Sequence, residues 1–369
     1  MKKAIIYLFF GVFFSSTTLA QSDGVAKYLK PSIDGYIHLY FDQQYFLVNQ
    51  DCPYKSFTRV IKYDKEKGGY NSFFTDYDAQ NQPALTGTYK NGKKEGLFKQ
   101  FYPTGIVKMD CTFKNNLPVG KWNYYYPSGN IWIKIEMINN EIHILDFWDE
   151  KGNQKVKDGR GFFKLVTETF EYNELGFTGL LCEGRIKDGK PIGIWSNSLV
   201  YPKGAPELIG NELFGETGFE RSNYSYPERT PENVSLLKIL PNANFVNADI
   251  LQYKSCTIDD IKGFNVYLQN YLNNNLPMIW TFGDVPDTFK CIVKVNEKGQ
   301  STDVLLGGEI SEKFGNSLKF SLERVPFWIP SYKDGNTIED EFEITFSKVV
   351  DDTDSLSFGY PIIKRKNGN

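Results

Sequence analysis

The chain has 369 residues, a length that suits two domains of ordinary size better than one compact core. Hydrophobic residues make up 41% and charged residues 24%, proportions that exclude a wholly disordered protein. The formal net charge of −3 gives no electrostatic reason to bind nucleic acid, which requires a basic stripe, so we expect no nucleic-acid partner.

Aromatic residues are frequent, at 16%, with 29 Phe and 23 Tyr beside 32 Gly. Aromatic side chains favour the half-buried faces of sheets, and glycine favours tight turns. The composition therefore predicts a first domain that is mostly β.

The first 20 residues have the three parts of an export signal. Lys2-Lys3 is the positive part, residues 4–14 are the apolar part, and Thr18-Leu19-Ala20 is the small-residue cleavage site. A retained membrane anchor is the competing interpretation, but these eleven apolar residues fall short of the ~20 that a spanning helix requires. We expect a periplasmic or secreted protein that does not span the membrane after cleavage.

Five Cys is an odd number for an oxidising compartment, so at least one thiol is free or pairs with another molecule. No C-x-x-C pair occurs, which argues against a zinc site or a redox pair. A disulfide between Cys256 and Cys291 is one option, because both fall in the later domain. Cys111 and Cys182 are expected to be small buried side chains on strands.

Three short segments near the start of the mature chain have the composition of strands: Tyr36–Phe41, Phe57–Tyr63 and Tyr70–Tyr77. In the second, alternation places Arg59 and Ile61 on one face, so that face mixes charged and apolar side chains. We expect these strands to belong to the sheet that the following repeats continue.

An internal repeat follows. Residues 96–105 run from Gly-Leu-Phe to Tyr-Pro-Thr-Gly, and residues 120–129 run from Gly-Lys-Trp to Tyr-Pro-Ser-Gly, an offset of 24 residues. A third copy at residues 193–204 has two extra residues between its Trp and its Tyr. Each copy predicts one hairpin and one linking turn, because Asn91-Gly92 tolerates positive φ and Pro103-Thr104-Gly105 suits a reversal. A single hairpin cannot bury its aromatic face, so neighbouring copies are expected to stack.

The pattern from Gly87 to Phe98, with the Tyr-Pro-x-Gly that follows it, resembles the MORN-repeat family in its short bacterial variant. The resemblance implies a ribbon of antiparallel hairpins over residues 23–220 that acts as a scaffold or binding surface, in some members at membranes. No catalytic residue belongs to the motif. The resemblance is clear over residues 85–129 and returns over residues 184–204, and Asn116 replaces the Gly of one hairpin turn.

A polar linker with prolines is expected over residues 221–256, before a second domain at residues 257–348. In that domain a stripe of apolar residues predicts a helix ending at Leu276-Pro277: Ile261, Phe264, Tyr267, Leu268, Tyr271 and Leu272. The predicted elements after it are a hairpin, a helix and a last strand, at residues 289–306, 311–322 and 337–346. Residues 349–369 are expected to be a flexible tail.

This element order, with Phe327-Trp328-Ile329-Pro330 and Phe342–Phe346, resembles the C-terminal domain of TonB, the periplasmic end of the bacterial energy transducer. The resemblance implies a small α+β domain whose last strand pairs with a segment of a partner through main-chain hydrogen bonds. The binding candidates that it implies are Phe342, Ile344 and Phe346. The sequence departs from that family because it has no convincing N-terminal anchor and no long Pro-rich spacer.

The sequence contains no recognisable catalytic arrangement. Neither His38 nor His143 has a nearby Ser, Cys or acidic partner in a recognisable arrangement, and both are expected to be packed or edge side chains. We therefore expect no enzymatic activity, no cofactor and no metal site. A carboxylate-based hydrolase stays an alternative, because sequence cannot locate two acids held about 5–10 Å apart in a cleft.

The aromatic residues of the repeats have two interpretations. In the first they are the core of the ribbon, since apolar faces are mostly buried. In the second, part of the row stays open and stacks on a glycan, a peptide or a lipid headgroup. The residues concerned are Phe98, Tyr102, Trp122, Tyr124, Tyr126 and Trp195. Four lysines either rim this row or form a solvated edge: Lys93, Lys94, Lys99 and Lys121.

These features together indicate a non-enzymatic binding or scaffold protein of the bacterial cell envelope. The ribbon is expected to hold one partner, and the second domain is expected to dock an envelope protein or peptide by strand addition. The first alternative is a component of TonB-type energy transduction, which would keep residues 4–14 in the membrane. The second alternative is an unrecognised hydrolase.

Overall fold

The computed structural model describes residues 30–31, 35–64, 66, 69–139, 141–169, 172–225, 244–276, 285–333, 335–350 and 356–368. The expected export signal and residues 226–243 of the expected linker lie outside these described residues. The chain divides into two compact units. The first contains the described residues as far as Asn130 together with Asn244–Tyr253, and the second contains the other described residues.

The first unit is an antiparallel sheet with one short 3₁₀ helix, Asn244–Asp249. Its strands are β1 (Lys30–Pro31), β2 (Tyr36–Phe41), β3 (Leu47–Val48), β4 (Phe57–Asp64), β5 (Gly69–Tyr70), β6 (Phe73–Tyr77), β7 (Pro83–Lys90), β8 (Lys93–Lys94), β9 (Gly96–Phe101), β10 (Val107–Lys114) and β11 (Leu117–Tyr125). Pairing runs from β2 through β4, β6, β7, β9 and β10 to β11. The predicted opening strands and the first two repeats therefore form one sheet.

Each repeat starts with a turn in which both central residues have positive φ, the geometry that hairpin turns require. Asn91-Gly92 has φ of 51° and 75°, and Asn115-Asn116 has φ of 52° and 70°. Asn116 therefore keeps the turn that glycine makes in the first copy. Four residues after the turn, a glycine again has positive φ, at 79° in Gly96, 65° in Gly120 and 71° in Gly193. Other side chains would be strained at these positions.

The aromatic residue two positions after that glycine packs on a small residue of the preceding strand. Phe98 lies over Gly87, where a Cβ atom would come within 2.6 Å of two ring atoms. Trp195 lies over Gly184 in the third copy, and its Nε1 donates to the carbonyl oxygen of Arg185 at 3.1 Å. The Gly-aromatic pattern of the repeats thus reflects close packing of rings on the backbone of the neighbouring strand.

The second unit begins with eight more antiparallel strands. They are β12 (Ile131–Ile138), β13 (Glu141–Trp148), β14 (Gln154–Lys157), β15 (Arg160–Glu168), β16 (Gly179–Lys187), β17 (Lys190–Val200), β18 (Glu207–Gly215) and β19 (Gly218–Tyr224). Each pairs with the next along the chain. The ribbon therefore reaches Tyr224, a few residues into the expected linker.

The rest of the second unit is an α+β module. Its elements are α1 (Ile258–Ile261), α2 (Phe264–Asn275), β20 (Thr288–Val295), β21 (Ser301–Gly307), α3 (Glu312–Glu323), β22 (Ser331–Lys333), β23 (Asn336–Ile338), β24 (Asp340–Val350), β25 (Leu356–Phe358) and β26 (Ile362–Arg365). The main sheet has the order β21-β20-β24, and β25 and β26 both pair with β24. Leu268 of α2 and Leu318 of α3 belong to the same buried cluster as Val293 of β20 and Ile344 of β24.

The predicted first helix of this module is interrupted. Gly263 has φ of 74° and separates α1 from α2. Thr257 caps α1, where its Oγ1 accepts a hydrogen bond from the Asp260 backbone N–H at 3.3 Å. The apolar stripe is continuous in sequence, so the spacing alone predicts one helix.

The prediction of a flexible tail is wrong for the described residues 356–368. β26 pairs with β24 in the register Ile344↔Ile363, and the Arg365 guanidinium donates to both carboxylate oxygens of Asp259 at 2.6 and 2.8 Å. Arg365 also donates to the carbonyl oxygen of Ile329 at 2.8 Å. Both partners of this ion pair are almost fully buried, so the end of the chain is held in the module.

The disulfide between Cys256 and Cys291, which the sequence allowed as one option, is not formed, because Cys291 is a buried free thiol. Cys111 and Cys182 are also buried free thiols on strands β10 and β16, as predicted.

Candidate functional site

The aromatic candidates of the repeats are partly buried and partly accessible. Four are buried, namely Phe98, Trp122, Tyr124 and Trp195, whereas Tyr102 and Tyr126 are half-buried. In the first unit the buried rings contact one another in series, at centroid distances of 5.0 Å for Phe98–Phe113 and 5.5 Å for Phe113–Trp122. These buried rings belong to the core of the ribbon and cannot stack on a ligand in this conformation.

A buried ion pair lies on the same face of the first unit. The Arg59 guanidinium donates to the two carboxylate oxygens of Asp76 at 2.7 and 2.9 Å, and both side chains are 0% exposed. The guanidinium carbon lies 4.3 Å from the ring centroid of Phe74. Arg59 and Asp76 stand directly opposite each other on β4 and β6. Alternation along the strand predicted the mixed face that contains Arg59, but only the strand register identifies Asp76 as its partner.

Residues 244–253 cover this inner face of the sheet. Phe245 is buried, and its ring stacks on Phe98 at a centroid distance of 6.1 Å. Asp249 accepts hydrogen bonds from the Lys94 ammonium and the Tyr89 hydroxyl. Lys94 is therefore a buried ion-pair partner, which corrects both expectations for this residue, a rim of an open row and a solvated edge. The inner face is occupied by the chain itself.

The opposite face of this sheet is open to solvent. Successive cross-strand neighbours form a row of exposed or half-exposed residues, which we call the outer row: Val60, Thr75, Thr86, Lys99, Asp110 and Asn123. Asp110 accepts hydrogen bonds from Asn123 Nδ2 at 2.9 Å and from the Tyr125 hydroxyl at 2.7 Å. Exposed apolar side chains flank the row, including Leu97 and Phe73, which are 52% and 59% exposed. Lys93 and Lys121 are exposed as well.

The candidates of the C-terminal module lie in its core. Phe342, Ile344 and Phe346 are fully buried side chains of β24. This strand pairs with β20 along one edge and with β25 and β26 along the other. Strand addition to β24 is thus blocked, because both of its edges already carry main-chain partners. The sequence could not reveal this, since β25 and β26 fall in the expected tail.

The free thiols of the described residues are buried, and the two histidines are half-buried. Burial raises the pKa of the Cys182 and Cys291 thiols to about 12, so neither is a thiolate at neutral pH. His143 Nε2 lies 3.8 Å from a Glu141 carboxylate oxygen, which is a long contact, and His38 is half-buried on β2. Within the described ranges, no group of three or more His, Cys, Asp or Glu is placed to hold a metal ion. No helix of the described part is long and apolar enough to cross a bilayer.

Comparison with known proteins supports the repeat assignment. The model of the MORN repeat variant family matches residues 94–115 and 118–139. These two copies run from the end of β8 through β12; the first ends at Asn115, in the hairpin turn, and the second includes Gly120. The resemblance drawn from the Gly-aromatic pattern is therefore confirmed for this part of the chain.

Other comparisons add no functional information. No curated protein matches the chain. One solved structure, a mutant of S. aureus TarM in complex with fondaparinux, alpha-GlcNAc-glycerol and UDP, aligns with a TM-score of 0.17 and 10% identity. The alignment covers 39% of this chain and 25% of that one, so the chain spans about a quarter of that protein's length. A likeness this low carries no argument.

Proposed function

We propose that this protein is a non-enzymatic binding or scaffold protein of the bacterial cell envelope, in which the outer face of the ribbon is the interaction surface. The observation that carries the proposal is the difference between the two faces of the first sheet. The inner face is covered by residues 244–253, whereas the outer row is exposed at Lys99 and half-exposed at its other five positions, across six strands. MORN repeats are in general protein- or membrane-binding modules, which is compatible with this role.

The composition of the outer row favours a protein partner or a polar headgroup over an extended apolar ligand. The row combines hydroxyl, ammonium, carboxylate and amide groups, and isolated apolar side chains such as Leu97 flank it. Polar surfaces with scattered apolar anchors are typical of non-obligate interfaces.

We further propose that the C-terminal module docks a second envelope partner, the role that the sequence resemblance to the TonB C-terminal domain implies. Since β24 is paired along both edges, the docking edge would be β21, which pairs only with β20 among the described strands. A peptide that extends the sheet there gains main-chain hydrogen bonds without displacing an existing strand. This proposal includes export by residues 1–20 and therefore a location outside the cytoplasm.

The test is capture of partners by the mature, full-length protein from envelope extracts, with quantitative mass spectrometry. The variant Thr86→Glu with Lys99→Glu changes the outer row by three charge units. The matched control, Gln80→Glu with Lys90→Glu, makes the same change at exposed positions outside the row. We expect partners of the wild type to be depleted at least tenfold with the row variant and kept with the control. Equal capture by both variants would contradict the proposal.

N-terminal sequencing of the protein from its native envelope tests export separately. Cleavage before Gln21 agrees with a released envelope protein. If the mature protein keeps residues 4–14, the energy-transducer alternative is favoured instead, because a transducer must stay anchored in the membrane.

A further inference from the structure

The second unit contains a cleft of about 890 Å³, a volume in the range of small-molecule sites. One wall is α2, the opposite wall is formed by the ends of β17, β18 and β19, and the loop Tyr172–Phe177 closes one side. Tyr172 fixes this loop to the C-terminal module. Its hydroxyl donates to the carbonyl oxygen of Phe327 at 2.6 Å, and its ring stacks against Phe327 at a centroid distance of 6.3 Å. The cleft shares no residue with the outer row.

Aromatic rings supply much of the cleft lining. Tyr172 and Tyr267 lie 4.8 Å apart between ring centroids, and Tyr267 and Tyr271 lie 6.0 Å apart. Tyr224 faces them from β19. Burial is the main cause that raises the pKa of all four phenols, and a nearby carboxylate raises each of them further, so the rings are neutral at physiological pH. The aromatic wall is therefore uncharged.

Amide side chains supply the polar part of the lining. Asn173 and Asn275 have structural roles, because Asn173 closes its loop on Phe177 at 2.9 and 3.0 Å and Asn275 donates to the Tyr271 carbonyl oxygen at 2.8 Å. Asn270 and Asn274 are exposed, stand one helical turn apart on α2, and make no side-chain hydrogen bond within the described part of the chain.

Asn270 and Asn274 disfavour the helix without forming a side-chain hydrogen bond among the described residues that would offset this. Asn is a weaker helix former than Ala, Lys or Glu. Asn273 on the same helix has a clear role, since its side chain bonds both the N–H and the carbonyl oxygen of Phe358 at 2.8 and 3.3 Å. Asn270 and Asn274 have no such partner among the described residues, yet their amides can each donate and accept toward the cleft.

The chemistry of the cleft selects a class of ligand. Among the lining residues Glu174 alone is charged, and its carboxylate lies beside Tyr267, so the lining itself offers no cation to an anionic ligand. A sugar ring presents apolar C–H groups on its faces and hydroxyls around its edge. The faces suit tyrosine rings, and the hydroxyls suit amides that both donate and accept. We propose that this cleft binds a short neutral oligosaccharide, stacked on Tyr271 and hydrogen-bonded by Asn270 and Asn274.

The test is isothermal titration calorimetry of the mature full-length protein with three neutral probes: the trimer of N-acetylglucosamine, maltotriose and cellotriose. We expect the protein to bind at least one of these sugars with a Kd in the millimolar range or lower. Asn270→Ala with Asn274→Ala should weaken that binding at least tenfold, and Tyr271→Ala should do the same. The variant Val266→Ala, at a 45%-exposed position of the same helix that does not line the cleft, is the control and should bind as the wild type does.

Three results would overturn the proposal: no binding of any of the three sugars, binding that the asparagine variant leaves unchanged, or tighter binding of choline than of every sugar. The last result would mean that Glu174 and the rings form a cation site. Because alanine is a better helix former than asparagine, the double variant should fold, and far-UV circular dichroism confirms that loss of binding is not unfolding. Partner capture by the outer row is measured independently, so either proposal can fail alone.

Discussion

Replacing Gly87 by alanine tests the packing of aromatic rings on the strand backbone. A Cβ atom at residue 87 would lie 2.6 Å from two ring atoms of Phe98, well inside van der Waals contact. The ring cannot retreat, because Phe98 is fully buried between Phe74, Phe113 and Phe245, at centroid distances of 5.7, 5.0 and 6.1 Å. Overpacking of this kind costs about 1–3 kcal/mol. With a urea slope of about 3 kcal/mol/M, the unfolding midpoint should fall by roughly 0.3–1 M.

Two comparisons separate this packing effect from a general effect of losing glycine. Gly307→Ala is the control, because its φ is not positive and the nearest atom to its Cβ, a carbonyl oxygen, is 3.5 Å away. It should change the unfolding free energy by less than about 0.5 kcal/mol. In a Phe98→Leu background the cost of Gly87→Ala should shrink by about 1 kcal/mol or more, since the clashing ring is gone. A Gly87→Ala protein as stable as the wild type, or costs that simply add, would refute the packing argument.

Three further outcomes follow from individual contacts. Arg365→Met leaves the buried carboxylate of Asp259 without its partner and should lower the unfolding free energy by about 3–5 kcal/mol, measured by urea denaturation. Hydrogen bonds from the Asn153 side chain and backbone hold the pKa of Asp149 at about 2, below its usual 3.8. This stabilisation is present above pH 4 and lost as pH falls toward 2, so the Asp149 carboxyl should titrate by NMR near 2, and nearer 3.8 in Asn153→Ala. Burial raises the pKa of Cys182 to about 12, so iodoacetamide at pH 8 should label this thiol in urea and leave it unmodified in the folded protein.

The features that sequence predicted well depend on local chemistry. The hairpins follow from residues that tolerate positive φ, such as Asn91-Gly92, and from alternation along each strand. The observed bounds of β2, Tyr36–Phe41, match the predicted strand, and β4, Phe57–Asp64, is one residue longer than its prediction. The family match at residues 94–115 and 118–139 lies within the same repeat region.

The features that sequence did not predict depend on contacts between distant residues. The Arg59–Asp76 pair requires knowledge of which positions stand opposite each other on β4 and β6. The docking of Asn244–Asp249 depends on Lys94 and Tyr89, which are 155 and 160 residues before Asp249 in the chain.

The C-terminal strands were missed for the same reason. Arg365 and Asp259 are 106 residues apart, so nothing in residues 356–368 alone indicates that they are held in a sheet. The candidate binding residues changed as a result, because pairing of β26 with β24 buries the edge that was expected to receive a partner. The outer row was apparent in the sequence only as polar residues at alternate positions along the strands.

The central claim is that the outer face of the ribbon, and not its buried aromatic face, contacts a partner. The most direct test places a photo-crosslinking amino acid at Thr86 of the outer row, and at exposed Lys90 as the comparison, in cells that express the full-length protein. We expect a discrete crosslinked species from position 86 after irradiation and none from position 90. No crosslinked species from position 86, or the same species from both positions, would contradict it.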